Sequence, residues 1–464
     1  MKIYHIFLLA LAGLLFGSCE KYLDVKSNST QIFAKSSADV QKLLDAYESN
    51  NTYYPSEGMM CSGDTYLTDG SYRSFSAGLT DEDRAFYTWQ GNAIYNRSLT
   101  WQFMYIKIYT ANLILETLKD LSDKPDKTTV DRMRGEALFY RAFPQWQLAQ
   151  LFAAPYTAAD ADQQPGIPIR LESDISEVLV RGTVRQTYDH IIQDLKEAVN
   201  LLPERVSVAS RPSKAAALAM LARVYLSMED YGQAQDNANA ALQLKNDLID
   251  YNTISTTSFT PFPRFNKEVV FQAISRSNSA LFPDVGSGSS SVLKVVPDLA
   301  AQYESNDLRR SIFLKSVAGS TTVFTFSGNY DQNFNGTFFI GLAVDELFLT
   351  RAECNARAGN TVAALADLNM LLRTRWSTGT YVDKTASSAD EALALVLTER
   401  RKQLLMRGLR WTDLRRLNRD PRFAVTLKRT VAGVEYTLPP NDLRYTLLIP
   451  SEVINQSSIA QNKR

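Results

Sequence analysis

Apolar positions recur every three or four residues over long tracts of this chain, and polar residues fill the places between them. That period belongs to amphipathic helices. A first short tract, SSADVQKLLDAYESN (36–50), opens on serine and aspartate residues suited to a helix N-terminus. From Trp101 the pattern is sustained through WQFMYIKIYTANLILETLKDL and then TTVDRMRGEALFYRAFPQWQLAQLFAAPY. Pro144 lies deep inside the second of these, where its missing N–H and its ring predict a bend or an interruption. Three further helical tracts follow: TVRQTYDHIIQDLKEAVNLLP, SKAAALAMLARVYLSMEDY and GQAQDNANAALQL. In the middle one Leu218, Ala222 and Leu226 share a stripe, with Leu221 and Tyr225 beside it, and the small alanines predict close helix approach. The rhythm resumes in LAVDELFLTRAECNARAGNTVAALADLNMLLRTRW. There Val344, Phe348, Ala352 and Ala356 make one stripe, and Ala364, Leu368 and Leu372 the next, around a Gly359–Asn360 turn. A last pair is SSADEALALVLTERRKQLLMRGLRWTDLRRL, before a tail that reads as irregular.

Two stretches break this rhythm. Residues 51–100 are rich in Gly, Ser and Asn and carry Tyr53, Tyr54, Tyr66, Tyr72, Tyr87, Trp89 and Tyr95. A stretch that long without periodicity is expected to be a functional loop rather than a linker. Residues 250–338 hold short strand-like pieces, EVVFQAI, TTVFTF and GTFFIGL, separated by Ser, Gly, Asn and Pro. The architecture read from this is mainly α: helix pairs at about 101–245 and 341–418, interrupted by inserts at about 51–100 and 250–338. Paired helices with small residues at their crossings resemble the tetratricopeptide pattern, with irregular spacing. Such scaffolds are rigid, and binding falls to the loops they carry.

The front end is of another kind. Met1–Ser18 has a lysine, an apolar run from Ile6 to Phe16, and the small residues Gly17 and Ser18 before Cys19. This is a secretory leader, too short to span a bilayer. Read as an ordinary signal peptide, it leaves Cys19 near the cut by chance. Read as a lipoprotein signal, it makes Cys19 the lipidated first residue of a single domain, 19–464, anchored to a membrane without crossing it. Phe16 stands where a lipobox prefers a smaller aliphatic residue.

Composition removes several classes of chemistry. Lys plus Arg and Asp plus Glu number 50 each, so no net field favours nucleic acid or an anionic surface. Once the leader is removed, His190 is the only histidine, within a plain amphipathic helix pattern. A Ser-His-Asp triad, HExxH and histidine metal sites are therefore not expected. Cys61 and Cys354 remain, the second on a helical stripe, so neither a disulfide nor a zinc site is expected. No Gly-rich phosphate loop is present, and no cofactor is called for. A carboxylate-pair hydrolase stays open, because fifty acidic residues always offer pairs.

Six elements in order resemble the SusD/RagB family of Bacteroidetes outer-membrane nutrient-binding lipoproteins. SCEKYLD resembles its lipidated cysteine with an acidic, Tyr-Leu-Asp continuation. Trp101, Tyr105, Ile108, Ala111 and Asn112 match its first helix motif. Gly135, Glu136, Ala137, Arg141, Ala142, Leu148, Pro155 and Tyr156 match the next, with Pro144 unusual. RAECNARAG, TERRKQLLMRGLRWTDLRRL and IPSEVINQSSIAQN supply the remainder. Gln403 and Arg407 stand where the family usually has glutamates, and Arg410, Asp413 and Arg415 are expected to pair around Trp411. The resemblance implies four tetratricopeptide-like helix pairs packed against a variable, ligand-holding region, with no reaction catalysed. It also implies capture of glycans, or in some members peptides, and delivery to a SusC-like TonB-dependent transporter in the outer membrane.

A sugar ring has an apolar C–H face and a hydroxyl rim, so a glycan site needs flat aromatics beside polar side chains. FYTWQGNAIYN offers Tyr87, Trp89 and Tyr95 with Gln90, Asn92 and Asn96. TYLTDGSYR adds Tyr66, Asp69, Tyr72 and Arg73, and the second insert Phe282, Asp284 and Tyr303. Aromatics in loops also form satellite cores, and Trp101, Trp146 and Trp411 lie on helix patterns that assign them to the core. The rival readings are a peptide or other nutrient binder on the same fold, a surface hydrolase, and a helical adaptor that docks proteins.

Overall fold

The computed structural model describes residues 34–73, 79–96, 98–176, 178, 180–276, 293–332 and 336–464. Cys19, Phe282 and Asp284 lie outside them. The tract 36–50 forms two helices, α1 (Ser37–Leu44) and α2 (Tyr47–Asn51). The first insert is more regular than its composition suggests: α3 (Glu57–Cys61), β1 (Thr65–Tyr66), α4 (Asp69–Arg73) and α5 (Asp81–Tyr87). Local chemistry fixes α5, since Thr80 and Asp83 form a reciprocal capping box at its start.

The scaffold begins with α6 (Leu99–Thr117) and α7 (Lys127–Phe152), N-capped by Ser98 and Asp126. A short antiparallel pair, β2 (Pro165–Pro168) and β3 (Arg181–Thr183), leads into α8 (Val184–Leu201), α9 (Lys214–Ser227) and α10 (Tyr231–Leu244). The expected interruption at Pro144 is absent, and α7 runs unbroken from Lys127 to Phe152. Seventeen of its 26 residues are buried, so packing on nearly every side outweighs the backbone bond that proline removes. The alanine-rich α9 is buried from Ala215 to Ser227, as its small residues foretold.

The second insert supplies β4 (Val269–Phe271), β5 (Ile274–Arg276), β6 (Lys294–Val295), α11 (Pro297–Ala300), α12 (Arg309–Phe313), β7 (Leu314–Ser316), β8 (Phe324–Phe326), β9 (Thr337–Phe339) and β10 (Leu342–Ala343). Helices α13 (Val344–Arg357), α14 (Thr361–Arg373), α15 (Ala389–Gln403) and α16 (Arg410–Leu417) complete the scaffold. Gly359 turns the chain between α13 and α14 at φ +83°, a conformation glycine adopts without strain. The tail is not irregular throughout: Leu427–Val431 (β11) and Val434–Leu438 (β12) form a hairpin, before α17 (Ser451–Gln456).

Successive helices pack as neighbours from α6 through α7, α8, α9 and α10 to α13, which also takes α14 and α15. The result is a mainly helical superhelix of pairs. The two inserts are not separate lobes. Strand β1 pairs with β6 in a four-stranded antiparallel sheet, β1-β6-β8-β7, and Tyr54 bridges Ser275. Around Trp411, Asp413 takes Arg400 at 2.9 Å and Arg416 at 2.8 Å, and Arg410 nears Asp64 at 3.7 Å. Arg415 departs from the expected pairing. It donates to the carbonyls of Ala149, Gln150 and Ala153 at the end of α7, where a helix runs out of N–H groups of its own to pair with its last carbonyls.

Candidate ligand-binding cleft

Where the inserts meet the start of α6, a cleft of about 750 Å³, counting its open mouth, is walled by four chain segments. Tyr53, Ser56, Glu57 and Met60 come from the turn before α3 and from α3 itself. Thr80, Glu82 and Asp83 come from the start of α5, Tyr95 from the following loop, and Ser98, Leu99, Thr100 and Phe103 from α6. Arg276 closes the rim from the end of β5.

Two stacked ring pairs frame this space. Tyr53 lies on Phe103 with centroids 4.5 Å apart and planes 27° apart. Tyr95 lies on Phe86 at 4.3 Å and 17°. Tyr53 is half-buried and held at φ +62°, a left-handed conformation uncommon outside glycine. Arg276 lies over the Tyr53 ring at 5.1 Å, and its Nη1 donates to the Tyr53 hydroxyl at 2.9 Å.

The carboxylates are fixed by backbone. Glu57 accepts from the Ser56 N–H at 3.0 Å, Glu82 from the Asn96 N–H at 3.2 Å, and Asp83 from the Thr80 N–H at 3.1 Å. Burial holds the Glu57 carboxyl above its ordinary range, opposed by a hydrogen bond from Thr100 and reinforced by Asp83. Burial also carries the Tyr95 hydroxyl well above its usual value, with Glu57, Asp83 and Glu82 among the groups adding to the effect. Three carboxyl groups therefore converge near one phenol. Aromatic faces beside fixed hydrogen-bond acceptors can hold a hydroxyl-bearing ring.

The sequence-chosen residues divide. Tyr95 lines the cleft, and Asn96, exposed, joins its loop to Glu82 and accepts from the Ser451 hydroxyl at 3.1 Å. Asn92 is exposed on the same loop. Tyr66, Tyr72 and Arg73 lie elsewhere. Tyr72 meets Tyr87 at 6.2 Å and Arg84 at 5.9 Å, on the face of α5 opposite Glu82 and Phe86, and Asp69 accepts from the Ala432 N–H at 2.9 Å. That group flanks the β11–β12 hairpin rather than the cleft.

Three aromatic choices are overturned. Tyr87 and Trp89 are 1% and 4% exposed, so neither offers a face to a ligand. The Arg429 guanidinium, from β11, lies 3.8 Å from the Tyr87 centroid and 4.4 Å from that of Trp89, while the Trp89 indole N–H donates to the Cys61 carbonyl at 3.0 Å. They are a cation–π clamp, a satellite core of the insert. Tyr303 is 2% exposed, and its hydroxyl donates to the Lys402 carbonyl at 2.9 Å. Conversely, Tyr53, Glu57, Glu82, Asp83, Phe103 and Arg276 were not chosen. One signal was available for Phe103: Trp101, Met104 and Ile108 fill the core face of α6, and Phe103, at the edge of that core, extends the apolar surface towards the exposed Ile106. Cys61 and Cys354 are buried free thiols, and among the described residues no helix is long and apolar enough to cross a membrane.

Taken together, a superhelix of helix pairs that carries an aromatic, acid-lined cleft on its inserts is a ligand-binding scaffold of the tetratricopeptide-like kind. The family described as starch-binding and associating with the outer membrane matches residues 21–226, and the SusD family matches residues 343–447. The chain belongs to the SusD/RagB family. SusD-like protein P2 of Formosa agariphila is 25% identical over 378 residues, 69% of this chain and 71% of that one. A SusD superfamily protein of Bacteroides vulgatus superposes with a TM-score of 0.73 at 21% identity, over 92% of this chain and 99% of its own. A laminarin-binding SusD-like protein does so with a TM-score of 0.63 at 18% identity, over 92% and 99%.

Proposed function

We propose that this protein captures glycan at the cell surface in the cleft between Tyr53 and Tyr95, and delivers it to a SusC-like TonB-dependent transporter. In this reading Cys19 carries the lipid that ties the chain to the outer membrane. The observation that carries the proposal is that Tyr53, stacked on Phe103, and Tyr95, backed by the buried Phe86, face one space with Glu57, Glu82, Asp83 and Arg276. A sugar would lay its C–H face on a tyrosine ring and direct hydroxyls to the carboxylates. Asn92 and Asn96 would add carboxamides from the Tyr95 loop, and Tyr66, Tyr72 and Arg73 would form a separate surface beyond α5. The family's description as starch-binding supports the ligand class, as does the laminarin-binding neighbour.

The test is retardation of the mature protein in native gels containing soluble glycans, laminarin and starch included. Tyr95→Ala and Tyr53→Ala, each shown to be folded by circular dichroism, should weaken a positive interaction about tenfold, the loss of about 1–2 kcal/mol of ring contact. Retention of full binding by both variants would remove the cleft from the mechanism. New reducing ends released by the wild type and not by Glu57→Gln would replace capture with hydrolysis. Binding of peptides and of no glycan would move the proposal to the other nutrient class.

A further inference from the structure

The same cleft has a sign. Among the described residues its lining holds three carboxyl groups, Glu57, Glu82 and Asp83, with burial disfavouring the charge on Glu57, against one guanidinium, Arg276. Glu57 and Asp83 lie deep, 5% and 4% exposed, and backbone N–H groups of their own segments hold them. Arg276 is exposed at the rim and already engaged with the Tyr53 hydroxyl and ring. The start of α6 also opens on the cleft, and its positive end would by itself favour an anion. Glu57 already places a carboxyl beside Thr100 in that first turn, and the Ser98 hydroxyl takes the Trp101 N–H.

We infer that the cleft selects by charge, taking oligosaccharides of neutral or amine-bearing sugars and turning away those that carry uronate or sulfate groups. This rests on the glycan reading above and adds the class of sugar. A carboxylate or sulfate on a ring stacked at Tyr95 would lie among groups of its own sign, partly shielded from water, where like charges repel far more than in bulk solvent. Neutral hydroxyls instead donate to these fixed acceptors, and an ammonium group is drawn both to them and to the tyrosine faces.

The experiment measures one soluble glycan that the protein retains, beside its carboxymethylated and sulfated derivatives of matched length, by calorimetry at low and at near-physiological salt. The anionic derivatives should bind about tenfold or more weakly, with the gap narrowing as salt rises. A Glu82→Gln variant, which keeps an oxygen acceptor for the Asn96 N–H, should lose some affinity for the neutral chain yet recover part of the anionic one, so that the ratio between the two narrows; an unchanged ratio overturns the role of Glu82 in the selection. Equal or tighter binding of the anionic derivatives by the wild type overturns the charge selection and leaves glycan capture standing. Failure of every glycan, neutral, basic and acidic alike, overturns the glycan reading itself and this inference with it.

Discussion

Lys107 shows how one residue of α6 couples burial to pH. The residue is 5% exposed, and its ammonium group donates to the Ser49 carbonyl and lies 4.8 Å from the Tyr54 ring centroid. Burial brings its pKa down to about 7 from the ordinary 10.5, against a smaller opposing pull from Glu48. Between those values the unfolded chain binds the proton that the folded chain resists, so stability rises with pH from about 7 towards 10.5. The gap is worth at most about 5 kcal/mol, and below pH 7 the penalty is present in full. Lys107→Met should therefore raise the urea midpoint at pH 6 and flatten the rise that the wild type shows between pH 7 and 10. A variant with the wild-type slope would mean that Lys107 stays protonated at no expense in the fold. The residue scale is also where sequence reading was least able to place the site. Trp89 and Tyr95 stand in one stretch of similar composition, yet one is clamped by Arg429 and the other lines a cleft. Nothing within that stretch announces an arginine 340 positions further along (429 − 89).

At the scale of elements, what was local was legible. Serine and aspartate at the start of 36–50, the alanine stripes and the Gly359 turn placed their helices, because each depends on residues within a turn or two of one another. What needed distant partners was not legible: the unbroken passage of α7 through Pro144, the β11–β12 hairpin, and the use made of Arg415. That arginine is 4% exposed and gives its guanidinium to the last carbonyls of α7 rather than to an acid. Burial lowers its pKa to about 10, which leaves it charged at neutral pH and attracted to the negative end of a 26-residue helix. Arg415→Met should strip this donor from the Gln150 and Ala153 carbonyls, Ala149 keeping the Ala153 N–H, and destabilise the fold by about 3 kcal/mol, read as a lower urea midpoint. A change under about 0.5 kcal/mol would show that water or neighbouring groups satisfy the end of α7 instead.

At the scale of the molecule, buried charge joins the inserts to the scaffold. Arg375 at the end of the α14 segment meets Glu268, just before β4, at 2.7 Å with both side chains 0% exposed, and Glu268 also accepts from the Tyr330 hydroxyl at 2.6 Å and the Ile249 N–H. Arg309 of α12 meets Asp307 at 2.7 Å and Glu399 of α15 at 2.6 Å, and Arg407 meets Asp345 at 3.4 Å. Such pairs are weak evidence of net stability, but breaking one leaves its partner as an unpaired buried charge, at about 3–5 kcal/mol. The cleft depends on this junction, because Arg276 belongs to the strand pair that follows Glu268 while Phe103 belongs to the scaffold. Inserts and scaffold should therefore unfold as one. The five tryptophans sample both, Trp89 in the first insert, Trp101, Trp146 and Trp411 in the scaffold helices, and Trp376 just after α14. Fluorescence and far-ultraviolet circular dichroism should give coincident urea transitions for the wild type. Glu268→Gln should move that transition to lower urea and, if the second insert loosens first, weaken glycan binding before helicity falls. Separate transitions in the wild type would mean that the inserts are an independent unit, and the cleft a contact between two bodies rather than a feature of one.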